Sequence, residues 1–391
     1  MASSRLWTAP CSSGSQLPWD AMFEVLLRLP AKELCRLRVV CRLWCALTMD
    51  PHFIKFHVSR HTDTLLAVGF WDKSNCRDDI IHGISIMDLS GNVLKRIPIT
   101  NNSITVLSTC HDLVCIPSVS DRGIWVLNPA TEDFALVPSW QYNCVAETYA
   151  FGQVASTGQY KLLRIVHLEH FNFNDPGTHL CEVVTLKAGK HGSWRRKPHA
   201  PVVVSPGYLM RRGGPMKSVV LNGVVYFMMD AATMEPAGIV PFNLETEEWR
   251  PILPGIEPLR SLVGDERPYM GYFQLNCDLK LANLNSCLVT VHYFRRISID
   301  LWFLMDFERG IWVKNYSVNV QHEDPLTFDV AYPLLILDDG RIVFYKHGSN
   351  LLQSYDPNTD TYSKVEIRNG ISSGIGIYTG SLLSVGSGSI S

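Results

Sequence analysis

The chain has 391 residues and a mass of 44.0 kDa, more than one compact core usually supports, so a second unit or a repeat array is expected. Apolar residues make up 46% and charged residues 18%, which excludes a disordered chain. Thirty-five basic against 37 acidic residues give a net charge of −2, which argues against a general phosphate-binding surface and leaves room only for a local patch.

In chain order, residues 1–15 are rich in Ser and Gly with few charges and read as a flexible leader. No apolar stretch follows a basic start there, so a secretory signal is not expected. Helical texture begins at Leu17. Pro18 can open a helix because the first-turn amide needs no partner, and Asp20 and Glu24 sit near its positive end. Met22, Val25, Leu26 and Leu29 recur at three- and four-residue spacing and are expected on one face, until Pro30 ends the helix. A short second helix carries Leu34, and a third is expected to carry Leu37, Val40, Cys41, Trp44 and Leu47 as one stripe. Asp50-Pro51 is a cap followed by a first-turn proline, opening a short turn with Phe53 and Phe56. So few helical residues cannot bury that much apolar surface among themselves. Either the stripe packs on the rest of the chain, or a partner protein completes it.

These residues carry a resemblance. Leu17-Pro18-Trp19-Asp20, then Glu24-Val25-Leu26-Leu27-Arg28-Leu29-Pro30-Ala31-Lys32, then Leu34, Arg36, Arg38-Val39-Val40-Cys41-Arg42 and Trp44, closing on Pro51 and Phe53, resemble an F-box. Glu33 stands where that family often has Ser and Leu37 where it often has Phe, both mild changes. The resemblance implies docking onto the Skp-type adaptor of a cullin-RING ubiquitin ligase. The adaptor-binding residues it implies are Leu17, Pro18, Met22, Val25, Leu26, Leu29, Pro30, Leu34, Val40, Cys41 and Trp44. It assigns residues 16–60 to the adaptor-binding helices.

Beyond about Arg60 the helical period gives way to β texture, and one pattern repeats. Asp88, Asn128, Asn243, Asp306 and Asp356 are each followed six positions later by a bulky residue: Leu94, Phe134, Trp249, Trp312 and Tyr362. Each copy reads as a strand, an Asx or type I turn, and a second strand with its bulky side chain aimed at the core. A stretched copy runs from Val183–Leu186 to Ser193-Trp194. Asn222-Gly223 and Asp339-Gly340 mark a second hairpin ahead of two copies, with His111-Asp112 in the same slot where Gly is expected. Two hairpins per unit, repeated about six times at a spacing near the kelch value of about 50, describe a β-propeller. Five or seven blades, or a pair of sandwiches, use the same strands. The closing segment Tyr378–Val385 is a candidate strand for the ring, with 386–391 frayed.

The fold class expected is therefore a multidomain α+β chain: a small all-α unit followed by an all-β propeller-like domain of about six blades over residues 61–391. Asn128-Pro129-x-Thr131, Tyr149-Ala150-Phe151-Gly152, Leu221-Asn222-Gly223-x-x-Tyr226, Asn243-x-x-Thr246-x-x-Trp249 and Tyr355-Asp356-Pro357-x-Thr359 resemble the F-box-associated region of plant F-box proteins. Together the two resemblances imply the substrate-recognition subunit of a Skp-cullin-F-box ubiquitin ligase that recruits an unidentified target protein. An adaptor-bound scaffold that promotes no ubiquitination has the same sequence features.

Catalytic chemistry is not expected. Gly370-Ile371-Ser372-Ser373-Gly374 matches a nucleophile elbow, but no His follows His347 and no Asp or Glu follows Glu366. Gly374-Ile375-Gly376 lacks the rest of a dinucleotide fingerprint. His167 and His170 have no zinc-type partner set and read as loop or strand-surface histidines. The aromatic residues follow hairpin spacing and read as core, so no nucleic-acid partner is expected. Arg195-Arg196-Lys197 and Arg211-Arg212 read as solvated loops, with contact to an acidic partner the minority reading. No cofactor and no metal are expected. No apolar run reaches membrane-spanning length, so no membrane partner is expected. Eleven cysteines without a C-x-x-C pair suit free thiols in an intracellular compartment, nucleus or cytoplasm, better than a disulfide framework.

Overall fold

The computed structural model describes residues 18–61, 64–73, 80–99, 106–118, 121–139, 144–168, 179–187, 190–204, 218–229, 238–256, 279–294, 298–319, 331–346, 351–366, 374–380 and 382–383. The chain divides into two compact units, one of residues 1–62 with 381–385, the other of the remaining residues.

The first unit has four helices: α1 (Trp19–Leu27), α2 (Ala31–Leu37), α3 (Arg42–Thr48) and α4 (Pro51–Arg60). Pro18 and Pro30 precede α1 and α2 as their N-cap residues, in keeping with a fixed φ that suits a helix entrance. Leu37, Val40 and Cys41 do not belong to the third helix, as periodicity suggested. The chain turns at 38–40, and α3 starts at Arg42 with the Cys41 sulfur capping the Trp44 amide at 3.5 Å. The turn expected after Asp50 is a ten-residue helix, its first turn held by the Asp50 carboxylate, which accepts from the amides of His52 (2.8 Å) and Phe53 (3.2 Å). The core of the unit is Leu26, Leu27, Leu34, Leu47 and Phe53, closed by Leu383.

The second unit is a six-bladed propeller of antiparallel sheets. Blade 1 contains β1 (Leu65–Lys73), β2 (Ile80–Asp88) and β3 (Val93–Ile99). Blade 2 is β4 (Ser108–Cys110), β5 (Leu113–Ser118), β6 (Gly123–Asn128) and β7 (Asp133–Pro138). Blade 3 is β8 (Cys144–Gln153), β9 (Tyr160–Leu168), β10 (His179–Lys187), β11 (Lys190–His191) and β12 (Arg195–Lys197). Blade 4 is β13 (Ser218–Leu221), β14 (Val224–Met228), β15 (Gly238–Asn243), β16 (Glu248–Trp249) and β17 (Leu253–Pro254). Blade 5 is β18 (Leu279–Leu284), β19 (Cys287–Phe294), β20 (Ser298–Asp306) and β21 (Ile311–Asn319). Blade 6 is β22 (Ala331–Ile336), β23 (Ile342–Lys346), β24 (Leu351–Asp356) and β25 (Thr361–Glu366).

The ring closes through β26 (Ile375–Tyr378), which pairs with β1 from Leu65↔Tyr378 to Val68↔Ile375. That strand lies earlier than the expected Tyr378–Val385 and overlaps it only at Tyr378; past Tyr378 the chain leaves the sheet, and Leu383 enters the helical core.

The repeated anchor has a local cause. The side-chain oxygens of Asp88, Asn128, Asn243, Asp306 and Asp356 each accept the amide two residues on, at 2.8 to 2.9 Å. The residue four on takes a left-handed φ at Glu132, Glu247, Gly310 and Asp360. Only glycine fits at 310, because a Cβ there would stand 2.1 Å from the Pro254 ring. His111, where Gly was expected, takes a left-handed φ of 52° itself.

The core lies between blades: Leu113, Cys115 and Val126 against Tyr149, Phe151 and Leu162, then Val183 against Phe227 and Phe242. The bulky residue six past the anchor serves the same interfaces. Trp249 Nε1 donates to the Pro198 carbonyl of blade 3 (3.0 Å), Trp312 Nε1 to Pro254 of blade 4 (2.8 Å), and Tyr362 Oη to Asn319 of blade 5 (2.6 Å). In the stretched copy, Trp194 Nε1 donates to Pro138 of blade 2 (2.7 Å). Phe134 and Leu94 occupy this position in blades 2 and 1 and have no donor, so the four latches tie blades 2 through 6 in series.

Candidate functional site

The helical unit combines a dry interior with an apolar exterior. Met22, Phe23, Leu29, Leu37, Trp44 and Ile54 pack around its core. Trp44 Nε1 points to the Met22 sulfur at 3.1 Å, and Arg38 reaches the side chain (3.2 Å) and carbonyl (3.1 Å) of buried Thr48. At the other end, Nε2 of His57 donates to the Leu29 carbonyl and Nε2 of His61 to the Leu27 carbonyl, both at 2.9 Å. These carbonyls lie at or just past the C-terminus of α1, where the helix itself leaves acceptors unfilled. The two imidazoles stack at 4.1 Å. Burial, reinforced by its neighbour His61, holds the His57 pKa below its ordinary value despite the backbone bond.

Outside this frame, Val39 is 89% exposed, Val40 59%, Val25 53% and Leu43 49%. Such side chains contribute little to the fold, because exposing them leaves their transfer free energy unrealised. Of the residues expected to bind a partner, Pro18, Val25, Pro30, Val40 and Cys41 face solvent, and Met22, Leu29 and Trp44 are half-buried. Leu26 and Leu34 are core, at 1% and 0% exposure. They hold the frame and do not offer a surface. Leu17 lies outside the described residues. Val39, Leu43 and exposed Phe56, which packs edge-on against Phe23 at 6.4 Å, are absent from the expected set. Val39, Val40 and Leu43 are three apolar positions flanking the Cys41 cap, and periodicity gives no reason to aim them outward.

Two clusters of buried ion pairs stand out among the described residues of the propeller. On blade 3, Arg164 is fully buried and pairs with Glu182, with Glu147 at 3.6 Å and the Trp194 ring at 4.5 Å. At the junction with blade 4, Glu247 in the β15–β16 turn meets Lys161 (2.9 Å), Lys197 (2.5 Å) and Arg195. Burial opposes its ionisation, but hydrogen bonds from Lys161, Lys197 and Arg195 outweigh that and hold its pKa at about 2. Arg195-Arg196-Lys197 is therefore a strand, β12, with two of its three cations engaged, and not a solvated loop.

His167 also differs from expectation. It is a buried residue of β9, opposite His179 of β10 with ring centroids 4.5 Å apart, and burial with the neighbouring imidazole lowers its pKa to about 3. His170, Arg211-Arg212 and most of Gly370–Gly374 lie outside the described residues. Gly376 serves packing, since a Cβ there would stand 2.5 Å from Thr109 of β4. Among the described residues no group of three or more His, Cys, Asp or Glu is placed to hold a metal. No helix among them is long and apolar enough to cross a membrane.

The chain thus joins a small helical module bearing exposed apolar side chains to a six-bladed propeller. Family models match both parts. The F-box domain model matches residues 15–56, and the F-box associated beta propeller domain model matches residues 81–376. The chain belongs to the F-box proteins with an F-box associated propeller. It is 23% identical to F-box protein At3g07870 of Arabidopsis thaliana over 383 residues, covering 87% of this chain and 85% of that one. It is 25% identical to the F-box/kelch-repeat protein At3g23880 of the same plant, covering 87% of each. Among solved structures, a nidogen/laminin complex chain is similar at TM-score 0.44 and 12% identity, covering 80% of this chain and 98% of that one.

Proposed function

We propose that this chain is the target-recruiting subunit of a Skp-cullin-F-box ubiquitin ligase. Its helical unit docks on a Skp-type adaptor, and through it on a cullin-RING assembly, while the propeller holds a target protein. The observation that carries this reading is the outward apolar set Val25, Val39, Val40 and Leu43 on a unit whose interior is already filled. Apolar side chains of this kind, desolvated together at the centre of an interface, are where binding energy concentrates. The chain itself performs no bond-making step. It raises the effective concentration of a target lysine beside a ubiquitin-charged enzyme and fixes its orientation.

The test is a comparison in cells between the parent chain and a Val40→Asp/Leu43→Asp variant. The variant should lose the adaptor, keep its bound proteins, and let at least one of them accumulate. Undiminished adaptor recovery with the variant would refute the docking model.

A further inference from the structure

Charge is unevenly spread along the chain. Between Glu182 and Asp230 there is no acidic residue, while Lys187, Lys190, Arg195, Arg196 and Lys197 fall within eleven positions. Because the whole chain carries −2, the rest of it is net acidic. The fold sets this basic run along one edge. β11 and β12 both pair with β10 on the side away from β9, opposite Leu186–Lys187 and Cys181–Val183. The backbone of β11 and β12, with Arg195–Lys197 on the latter, thus forms the outer margin of blade 3 over roughly 20 Å.

The charges at this margin are not balanced. Arg195 and Lys197 point toward blade 4, where they and Lys161 share the single carboxylate of Glu247. Arg195 remains 41% exposed. Arg196 stands opposite Glu182 in the register, but that carboxylate is committed to buried Arg164. Arg196 is exposed and has no ion-pair partner among the described residues. The outer side of β12 pairs with no strand among the described residues, so backbone donors and acceptors run beside exposed Arg196 and the part-exposed Arg195.

We propose that the outer edge of blade 3 binds an acidic, Asp/Glu-rich segment of a partner protein in extended conformation. The inference rests on the reading of the propeller as the target-holding unit and names the chemistry of what it holds. Strand addition supplies hydrogen bonds, and the cations select for carboxylates. An edge of this length suits about six extended residues. A nucleic acid fits less well, because its continuous phosphates would run past the basic margin onto a net acidic chain.

The test uses the full-length chain and a fluorescent peptide of about twelve residues, alternating Asp and Glu with Gly spacers, read by anisotropy at low salt. The peptide should bind saturably and weaken steeply as salt rises. Arg196→Glu should weaken it roughly fivefold and Arg196→Lys hardly at all, since the lysine keeps the charge. A second variant, Arg196→Gln, should also weaken the peptide and, adding no carboxylate opposite Glu182, should unfold at the parent's temperature. Absence of binding overturns the proposal, as does equal affinity for Arg196→Glu. Displacement of the peptide by duplex DNA at equal or lower concentration overturns it in favour of a nucleic-acid site. Adaptor docking is measured separately on the same protein and is retained whichever way the peptide behaves, so the two readings fail independently.

Discussion

The helical unit and the propeller distribute their apolar residues in opposite ways. In the helices the interior is five large side chains and Leu383, and nearly as many large apolar residues face out: Val25, Val39, Val40, Leu43 and Phe56. In the propeller the buried apolar clusters span neighbouring blades, and buried Arg164 is paired with Glu182. Among the described residues, four of the six large apolar side chains exposed there, Met305, Phe307, Ile311 and Val313, belong to one hairpin, β20–β21. A repeat array stabilises itself by stacking its units. The helical unit is not a stack of repeats, and its exposed apolar side chains are left outside its own core.

The contrast can be broken most strongly from inside. Leu34→Ala removes a fully buried side chain of the helical core, a loss of about 2–5 kcal/mol. That should melt the helices while the propeller transition, followed by near-ultraviolet circular dichroism, stays in place. Arg164→Met attacks the other unit. It takes the Arg164 cation away from Glu182 and Glu147, at a cost of about 3–5 kcal/mol, and differential scanning calorimetry should record the propeller transition falling while adaptor binding persists.

Acid should act on both units in one direction. His57, His167 and His292 are held below their ordinary pKa by burial. The unfolded chain therefore binds more protons, and the stability these groups contribute is complete above about pH 6.5 and lost as pH falls toward their folded values, about 3 for His167. Glu247, lowered to about 2, adds a second loss below the ordinary carboxylate range. Melting temperatures should decline steadily from pH 7 to pH 4; a flat profile would remove the buried histidines from the account. The smallest effect expected is from Tyr362→Phe, which deletes only the hydroxyl that latches blade 6 to Asn319 and should lower stability by about 1 kcal/mol in urea titrations.

The propeller was more legible in the sequence than the docking surface, for a physical reason. Each Asp or Asn anchor makes its own turn through a local hydrogen bond, so spacing alone places Phe134, Trp249, Trp312 and Tyr362 on outer strands. The latches those rings make were not legible, because each acceptor carbonyl lies in the preceding blade. In α1, Trp19, Ala21, Met22, Phe23, Val25, Leu26 and Leu27 leave few polar positions. A stripe read from spacing therefore did not separate outward Val25 from buried Leu26. The third helix was drawn too long because Leu37 and Val40 keep helical spacing across a turn. Leu383 entered the helical core from a segment more than 300 residues away in sequence, which no local pattern encodes.

On the proposed function, the outward valines and leucine of the helical unit serve association and not folding. The direct measurement is a calorimetric titration of a purified Skp-type adaptor into the full-length chain and its Val40→Asp/Leu43→Asp variant, with helical content and melting recorded on both. The account predicts unchanged melting and an affinity lowered by about 100-fold or more. Equal affinity for the two proteins, or a loss of affinity that appears only together with melted helices, would contradict it.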